Sequence, residues 1–186
     1  MSEQPHRPMS LAEFLEFSER APAGTRYEVV DGRPVVMPAP LVRHQVMLAE
    51  LGFRLRSAAP PGLMVVPAPL DWVLWQVPTL TLRQPDLAVV ERKWLHEPRL
   101  TEAPLLVAEV LSPSSRRDDT VVKAREYAKA GARHYWLADP DVPEITVLRL
   151  DAGTRKYIEM TRAADDQELA VEEPFPVKLI PNELLS

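Results

Sequence analysis

Two carboxylates stand inside apolar sequence where charge is expensive. The run Leu105-Leu106-Val107-Ala108-Glu109-Val110-Leu111 is long enough for a strand buried on both faces, with Glu109 at its centre. Upstream, Gln84-Pro85-Asp86-Leu87-Ala88-Val89-Val90 sets Asp86 at the head of a second apolar run, 23 residues before Glu109. A buried carboxylate without partners neutralises or finds a cation, so Glu109 calls for a metal ion, a basic side chain or a water-filled cleft. Two acids on neighbouring strands can share one ion. The chemistry such a pair suits is phosphodiester hydrolysis, which needs an activated water, relief of charge on the leaving oxygen, and positive charge on the phosphate. Mg²⁺ held by two carboxylates supplies all three. Asp86 and Glu109 are then the metal-binding acids, the backbone carbonyl of Val110 completes the protein face, and Lys123 orients the water from the helix that follows the Glu109 strand. The chain has no cysteine, so a metal must be held by oxygen or imidazole, which favours Mg²⁺ or Mn²⁺.

Structural alternatives exist for each residue. Asp86 after Pro85 suits a turn acid bonded to local backbone. Glu109 could pair with Arg125 or Arg117, and Lys123 could be a solvated helix lysine. Glu28 is either a cross-strand partner or a metal ligand. His44 and Gln45 are either helix-start polar groups or the border of a substrate cleft. Trp72, Trp75 and Trp136 suit core positions better than base stacking, and His6, His96 and His134 lack metal-ligand spacing.

The elements that must position these residues can be traced along the chain. Ser10-Leu11-Ala12-Glu13 has capping-box spacing ahead of a helix over 11–20. Tyr27-Glu28-Val29-Val30, Asp31-Gly32 and Pro34-Val35-Val36-Met37 form a hairpin with a tight turn. Val42, Val46, Ala49 and Phe53 mark the apolar face of a helix over 42–58, closed by Pro60-Pro61-Gly62. Strands are predicted over 63–66, 70–75, 80–90, 105–111, 134–138, 145–150 and 156–160. A helix over 118–130, with Val121, Ala124 and Ala128 as its apolar stripe, ends at Gly131. Strand 105–111, this helix and strand 134–138 make a crossover unit with one parallel pair. The fold class is therefore α/β, a mixed sheet flanked by helices.

The 186 residues, 46% of them hydrophobic, suffice for one domain over residues 1–186. No run of eighteen apolar residues occurs, and residues 1–8 lack an export signal, so the expected location is cytoplasmic. A formal charge of -5 and a pI near 5.5 argue against coating nucleic acid over the whole surface, so any such site is local. Arg116, Arg117, Lys123, Arg125, Lys129 and Arg133 cluster in one segment. Asp118, Asp119 and Glu126 interleave with them, as on a solvated helix face. The 20 prolines and the single asparagine, Asn182, suit a heat-adapted source or a biased genome.

Pro85-Asp86 followed by Glu109-Val110-Leu111 resembles the motif of the PD-(D/E)XK restriction-endonuclease-like superfamily. Tyr27-Glu28 with Asp31-Gly32, Met37-Pro38-Ala39-Pro40, His44-Gln45, Glu109-Val110-Leu111-Ser112-Pro113-Ser114, and Tyr135-Trp136-Leu137 with Asp139-Pro140 are similar to its Uma-two branch of endonucleases. That resemblance spans most of the chain. It implies a restriction-endonuclease-like mixed β-sheet flanked by helices, Mg²⁺- or Mn²⁺-dependent cleavage of DNA, and a homodimer. It places catalysis on Asp86, Glu109 and Lys123 with Glu28 as auxiliary acid, the metal on Asp86, Glu109 and Val110, and nucleic-acid contacts on His44, Gln45, Ser112 and Arg116. Leu111 stands where the superfamily has its motif lysine, so Lys123 must substitute from the helix. The alternative function is a catalytically inactive nucleic-acid-binding or dimerisation module of the same fold; a third is a metal hydrolase acting on RNA or small phosphorylated substrates. No nucleotide-binding glycine loop, Ser/His/Asp order or zinc motif indicates another enzyme class.

Overall fold

The computed structural model describes residues 7–186; His6 and the rest of the N-terminal reading over 1–6 lie outside the described residues. Helix α1 (Leu11–Arg20) opens with the Ser10/Glu13 capping box, and the hairpin β1 (Tyr27–Val30) and β2 (Arg33–Val36) turns through Asp31 and Gly32 at φ 50° and 75°. Two consecutive left-handed residues give the tight turn whose twist matches the strands. Then come α2 (Val42–Ala58), β3 (Leu63–Pro67), β4 (Trp72–Trp75), β5 (Thr81–Arg83), β6 (Leu87–Glu91) and β7 (Leu106–Val110). A helical segment of one wide turn (Asp118–Lys123) runs into α3 (Ala124–Ala130), which ends on the left-handed Gly131. β8 (His134–Asp139), β9 (Glu144–Asp151), β10 (Lys156–Ala164), β11 (Leu169–Val171) and β12 (Val177–Leu179) complete the chain.

The fold is α/β with a mixed central sheet and three α-helices. The central sheet has six strands in the order β10-β9-β8-β7-β6-β3, and only β7 and β8 run parallel, joined by the expected helical crossover. A separate antiparallel sheet, β2-β1-β5-β4, carries the N-terminal hairpin. Helix α2 lays Met47, Leu51 and Leu55 on Leu87, Val89, Leu106, Ala108 and Val110, on one face of the central sheet. Tyr127 of α3 packs on the other face with Trp72, Ala88, Val90, Val107 and Tyr135. Gly52 is where α2 comes closest to β6, since a Cβ there would lie 3.1 Å from Leu87 Cδ1.

Four expectations need correction. Residues 80–90 are not one strand: β5 belongs to the N-terminal sheet and β6 to the central one, because Pro85 has no N–H for a ladder and the chain changes sheet there. Helix α2 has the predicted span but the other face inward. Val42, Val46 and Phe53 are exposed while Met47, Leu51 and Leu55 are buried, since the second stripe carries the leucines that fit the sheet. In the segment over 118–130, Val121 is exposed and Asp119, Lys123 and Tyr127 are buried. The inward face here, at steps of four residues, is set by the ion pairs of Lys123 with Glu109 and Asp119 and by Tyr127, and not by the apolar stripe. The β11–β12 hairpin lacks long apolar alternation and is not foreseen by the sequence reading.

Candidate functional site

The antiparallel register of β6 on β7 pairs Leu87 with Ala108 and Ala88 with Val107. One step further along both strands, Asp86 stands opposite Glu109. Glu109 has the parity of Val107 and points to the α3 side, where Lys123 and Tyr127 meet it, whereas Asp86, one residue before β6, turns its carboxylate to the end of β7 and the start of α2. The backbone ties them edge to edge: Asp86 N–H donates to Glu109 Oε2 at 3.3 Å, and Val110 N–H donates to Asp86 Oδ2 at 2.9 Å.

The wide helical turn sends a cation to meet them. Lys123 Nζ lies 3.2 Å from Glu109 Oε1 and 2.9 Å from Asp119 Oδ1, and Tyr127 O–H donates to the same Glu109 oxygen at 2.7 Å. Glu109, Asp119 and Lys123 are 1%, 1% and 3% exposed. Tyr135 O–H donates to the Asp119 carbonyl at 2.8 Å, which fixes the turn to β8. His44, in the first turn of α2, places Nε2 3.1 Å from Asp86 Oδ2.

These groups form the floor of a cleft of about 280 Å³. Its walls are the segment over 37–41 and the serine-rich segment over 112–115; Gln45 and Ser112 line it, as do His44, Asp86, Glu109, Asp119 and Lys123. Ser112 is held by hydroxyl contacts at 3.2 Å to Ser114 and 2.9 Å to Ser115.

Electrostatics divide the two opposed acids. Burial pushes the Asp86 carboxyl up, but the His44 imidazole, the Lys123 ammonium and the Val110 N–H together hold it below its ordinary value. Burial drives Glu109 well above the usual carboxylate range; Lys123 opposes this, while Asp86 and Asp119 add to it. Burial also raises Asp119 against the pull of Lys123. For Lys123, the surrounding carboxylates, Glu109 foremost, outweigh a desolvation that acts the other way, so it stays charged.

The other sequence candidates lie elsewhere. Glu28 is buried with both oxygens engaged: Oε2 takes Arg83 Nη1 at 2.7 Å and Oε1 takes the Gln84 N–H at 2.9 Å. It is a cross-strand partner behind the site and does not line the cleft. Arg116 Nη1 lies 2.6 Å from Asp139 Oδ2 and is likewise absent from the lining. Glu109 pairs with Lys123, not with Arg125 or Arg117. Lys129 of the basic cluster sits 4.1 Å over the Trp75 ring. Trp72 and Trp136 are core residues, His96 lies in a single turn after β6, and His134 is buried away from the cleft.

Asp119, Tyr127 and Arg83 were missed by the sequence reading. Asp119 and Tyr127 stand four residues either side of Lys123, which is the helical spacing that could have found them. Arg83 also takes Glu126 Oε2 at 2.7 Å and Asp118 Oδ2 at 3.4 Å, and so ties the N-terminal sheet to the helix that carries Lys123.

The donor set fits a hard divalent cation in part. Asp86 Oδ1 has no protein hydrogen-bond donor among the described residues, and Glu109 Oε2 has only the long Asp86 N–H bond. Both are carboxylate oxygens, the ligand type Mg²⁺ prefers, usually one or two with the remaining positions filled by water. No group of three or more acids or histidines forms a ready cage among the described residues.

No curated protein matches the chain. Its fold is similar to the crystal structure of a "putative nuclease belonging to DUF820" from Anabaena variabilis ATCC 29413, at TM-score 0.69 and 21% identity, covering 96% of this chain and 98% of that one. A family model described as "Putative restriction endonuclease" matches residues 11–182. Because that match takes in nearly the whole chain, from the first helix to the C-terminal turn beyond β12, the protein belongs to the Uma2 family of restriction-endonuclease-like proteins.

Proposed function

We propose that the protein is a metal-dependent endodeoxyribonuclease that holds one Mg²⁺ or Mn²⁺ between Asp86 and Glu109 and hydrolyses DNA phosphodiester bonds in the cleft. The observation that carries this reading is the pair of opposed carboxylates at the cleft floor, with unclaimed oxygens and a buried ammonium beside them. A cation bound there supplies Lewis-acid polarisation of the phosphate and a more acidic bound water.

The chain's own groups have defined parts. Lys123 and Tyr127 hold Glu109 through Oε1, which leaves Oε2 toward Asp86. Lys123 Nζ is ion-paired with Glu109 and Asp119 and lines the cleft, so an N–H of the ammonium can be offered to a water or a phosphate oxygen there. Lys123 therefore supplies from the helix the positive group that Leu111 cannot. The Val110 carbonyl, at the end of β7, is the candidate for a backbone ligand, and Gln45 and Ser112 are polar groups for the nucleic-acid strand. The family resemblance carries with it a homodimer, in which two clefts would act on the two strands.

A silent nucleic-acid-binding or dimerisation module is the second reading, favoured by Leu111 at the motif lysine position and by the lack of a group of three or more metal-ligating acids or histidines among the described residues. Incubation of supercoiled plasmid with the protein and Mn²⁺ separates the two. The nuclease reading expects nicking that is lost in Asp86→Asn and Glu109→Gln and leaves 5′-phosphate ends. An intact plasmid, or equal cleavage by the two variants, refutes it.

A further inference from the structure

His44 lines the cleft, and its side-chain hydrogen-bond partner among the described residues is Asp86. Its Nε2 lies 3.1 Å from Asp86 Oδ2, the oxygen that also accepts the Val110 N–H at 2.9 Å. Two donors on one oxygen, one from helix α2 and one from strand β7, fix the plane of the carboxylate. Oδ2 is turned to the protein, and Oδ1 is left without a protein donor among the described residues.

The far side of the imidazole is as informative. His44 Nδ1 is buried and has no hydrogen-bond partner among the described residues. A neutral ring with its hydrogen on Nδ1 would leave that donor with nothing to bond and turn an Nε2 lone pair onto a carboxylate oxygen, so both contacts would be lost at once. With the hydrogen on Nε2, the only group left unmet is an acceptor lone pair. The ring is anchored from outside the cleft: the adjacent Arg43 donates to the Pro140 carbonyl and lies 3.6 Å from Asp141, which ties the start of α2 to the turn after β8.

We infer that His44 is the positioning residue of the cation site: donating from Nε2 to Asp86, it orients Asp86 so that Oδ1 is the oxygen presented to a divalent cation. This rests on the cation-binding reading above and reassigns His44 from the nucleic-acid strand to the metal-binding acid. Hydrogen bonds that orient a ligating carboxylate act on metal affinity through geometry. The effect therefore follows the donor and not the aromatic ring.

The test uses Mn²⁺ alone, titrated calorimetrically into the full chain, together with nitrogen NMR of the wild-type imidazole without metal. Glutamine can carry an N–H to the position of Nε2, whereas leucine fills the space without one. Relative to wild type, His44→Gln is expected to keep Mn²⁺ affinity within about threefold and His44→Leu to lose about 10–100-fold. The NMR spectrum is expected to report hydrogen on Nε2, a measurement that needs no variant to fold. Wild-type protein that does not bind Mn²⁺ overturns the cation reading and this inference together. Wild-type binding with equal affinity in His44→Leu, equal losses in the two variants, or an Nε2 that carries no hydrogen overturns the role of His44 alone.

Discussion

Replacing Lys123 by methionine tests the central cluster most directly, because shape is nearly kept and charge is removed. The ammonium lies 3.2 Å from Glu109 and 2.9 Å from Asp119, and none of the three side chains is more than 3% exposed. Breaking a buried ion pair by deleting one partner costs about 3–5 kcal/mol, because the remaining charges are stranded away from water. At about 2–4 °C per kcal/mol for a chain of this size, the midpoint of thermal unfolding falls by roughly 6–20 °C.

The loss carries a pH signature whose sign follows from the carboxylates. Glu109 and Asp119 already sit above their ordinary values because burial outweighs Lys123. Without the ammonium both rise further, so the folded variant binds protons that the unfolded chain has released. Its stability must then climb as pH falls toward the ordinary carboxylate range, more steeply than in wild type. The Lys123 contribution itself is level across this window, because the raised folded value of a lysine matters only on the alkaline side of its ordinary one. Urea unfolding at several pH values between about 5 and 8 measures this slope. Added Mn²⁺ should return part of the stability, about 2.7 kcal/mol at a hundredfold excess over its Kd, while turnover stays low. A loss below about 1 kcal/mol, or one that does not change with pH, refutes the stranded-charge account.

Three further outcomes follow from the same geometry. Asp86→Asn and Glu109→Gln each abolish cleavage and Mn²⁺ binding while far-ultraviolet circular dichroism stays native; retained Mn²⁺ binding in either would remove that acid from the site. Because Glu109 is held well above the usual carboxylate range, a cation must displace its proton, so Mn²⁺ affinity falls as pH is lowered. Titrations in two buffers of different protonation enthalpy should then give different apparent heats, and identical heats would contradict this. Arg83→Met strands Glu28 and Glu126 and costs about 3–5 kcal/mol in urea unfolding, with Mn²⁺ binding retained; loss of binding would place Arg83 inside the site.

What the sequence made legible is what local chemistry controls. The capping box at Ser10, the Asp31-Gly32 turn, the Gly131 helix stop and the crossover into β8 are decided by a few adjacent residues, and they stand as read. The 23-residue interval between Asp86 and Glu109 was legible as two strands but not as a register, which depends on where the loop between β6 and β7 closes. Helix faces were harder. Val42, Val46 and Phe53 have helical spacing as good as that of Met47, Leu51 and Leu55, and only the sheet beneath decides between them. Around Lys123 the buried face, Asp119, Lys123 and Tyr127, keeps helical spacing, but it carries charged and polar groups that a stripe argument built on apolar residues leaves in solvent. Glu28 and Arg83 could not be matched across 55 residues without knowing that β1 and β5 are neighbours.

Two buried charge clusters, set side by side, argue for the proposed role of one of them. Around Arg83, one guanidinium meets Glu28, Glu126 and the half-exposed Asp118, both oxygens of Glu28 are taken, and none of these residues lines the cleft. That cluster closes on itself and pins the N-terminal sheet to the helix. Around Lys123, one ammonium is paired with Glu109 and Asp119 at the floor of a cleft that Asp86 also lines, and Asp86 Oδ1 is left without a protein donor among the described residues. A cluster serving only the fold could be replaced by apolar side chains at little cost, and often with a gain in stability. Burial holds Glu109 well above the usual carboxylate range while Asp86 lies below its ordinary value, so a second negative charge on this pair calls for a further positive charge arriving from solution. Arg83 cannot be that charge, since Glu28 and Glu126 already hold it. A divalent cation can, and the cleft is the path by which it and a phosphate would reach the same two acids.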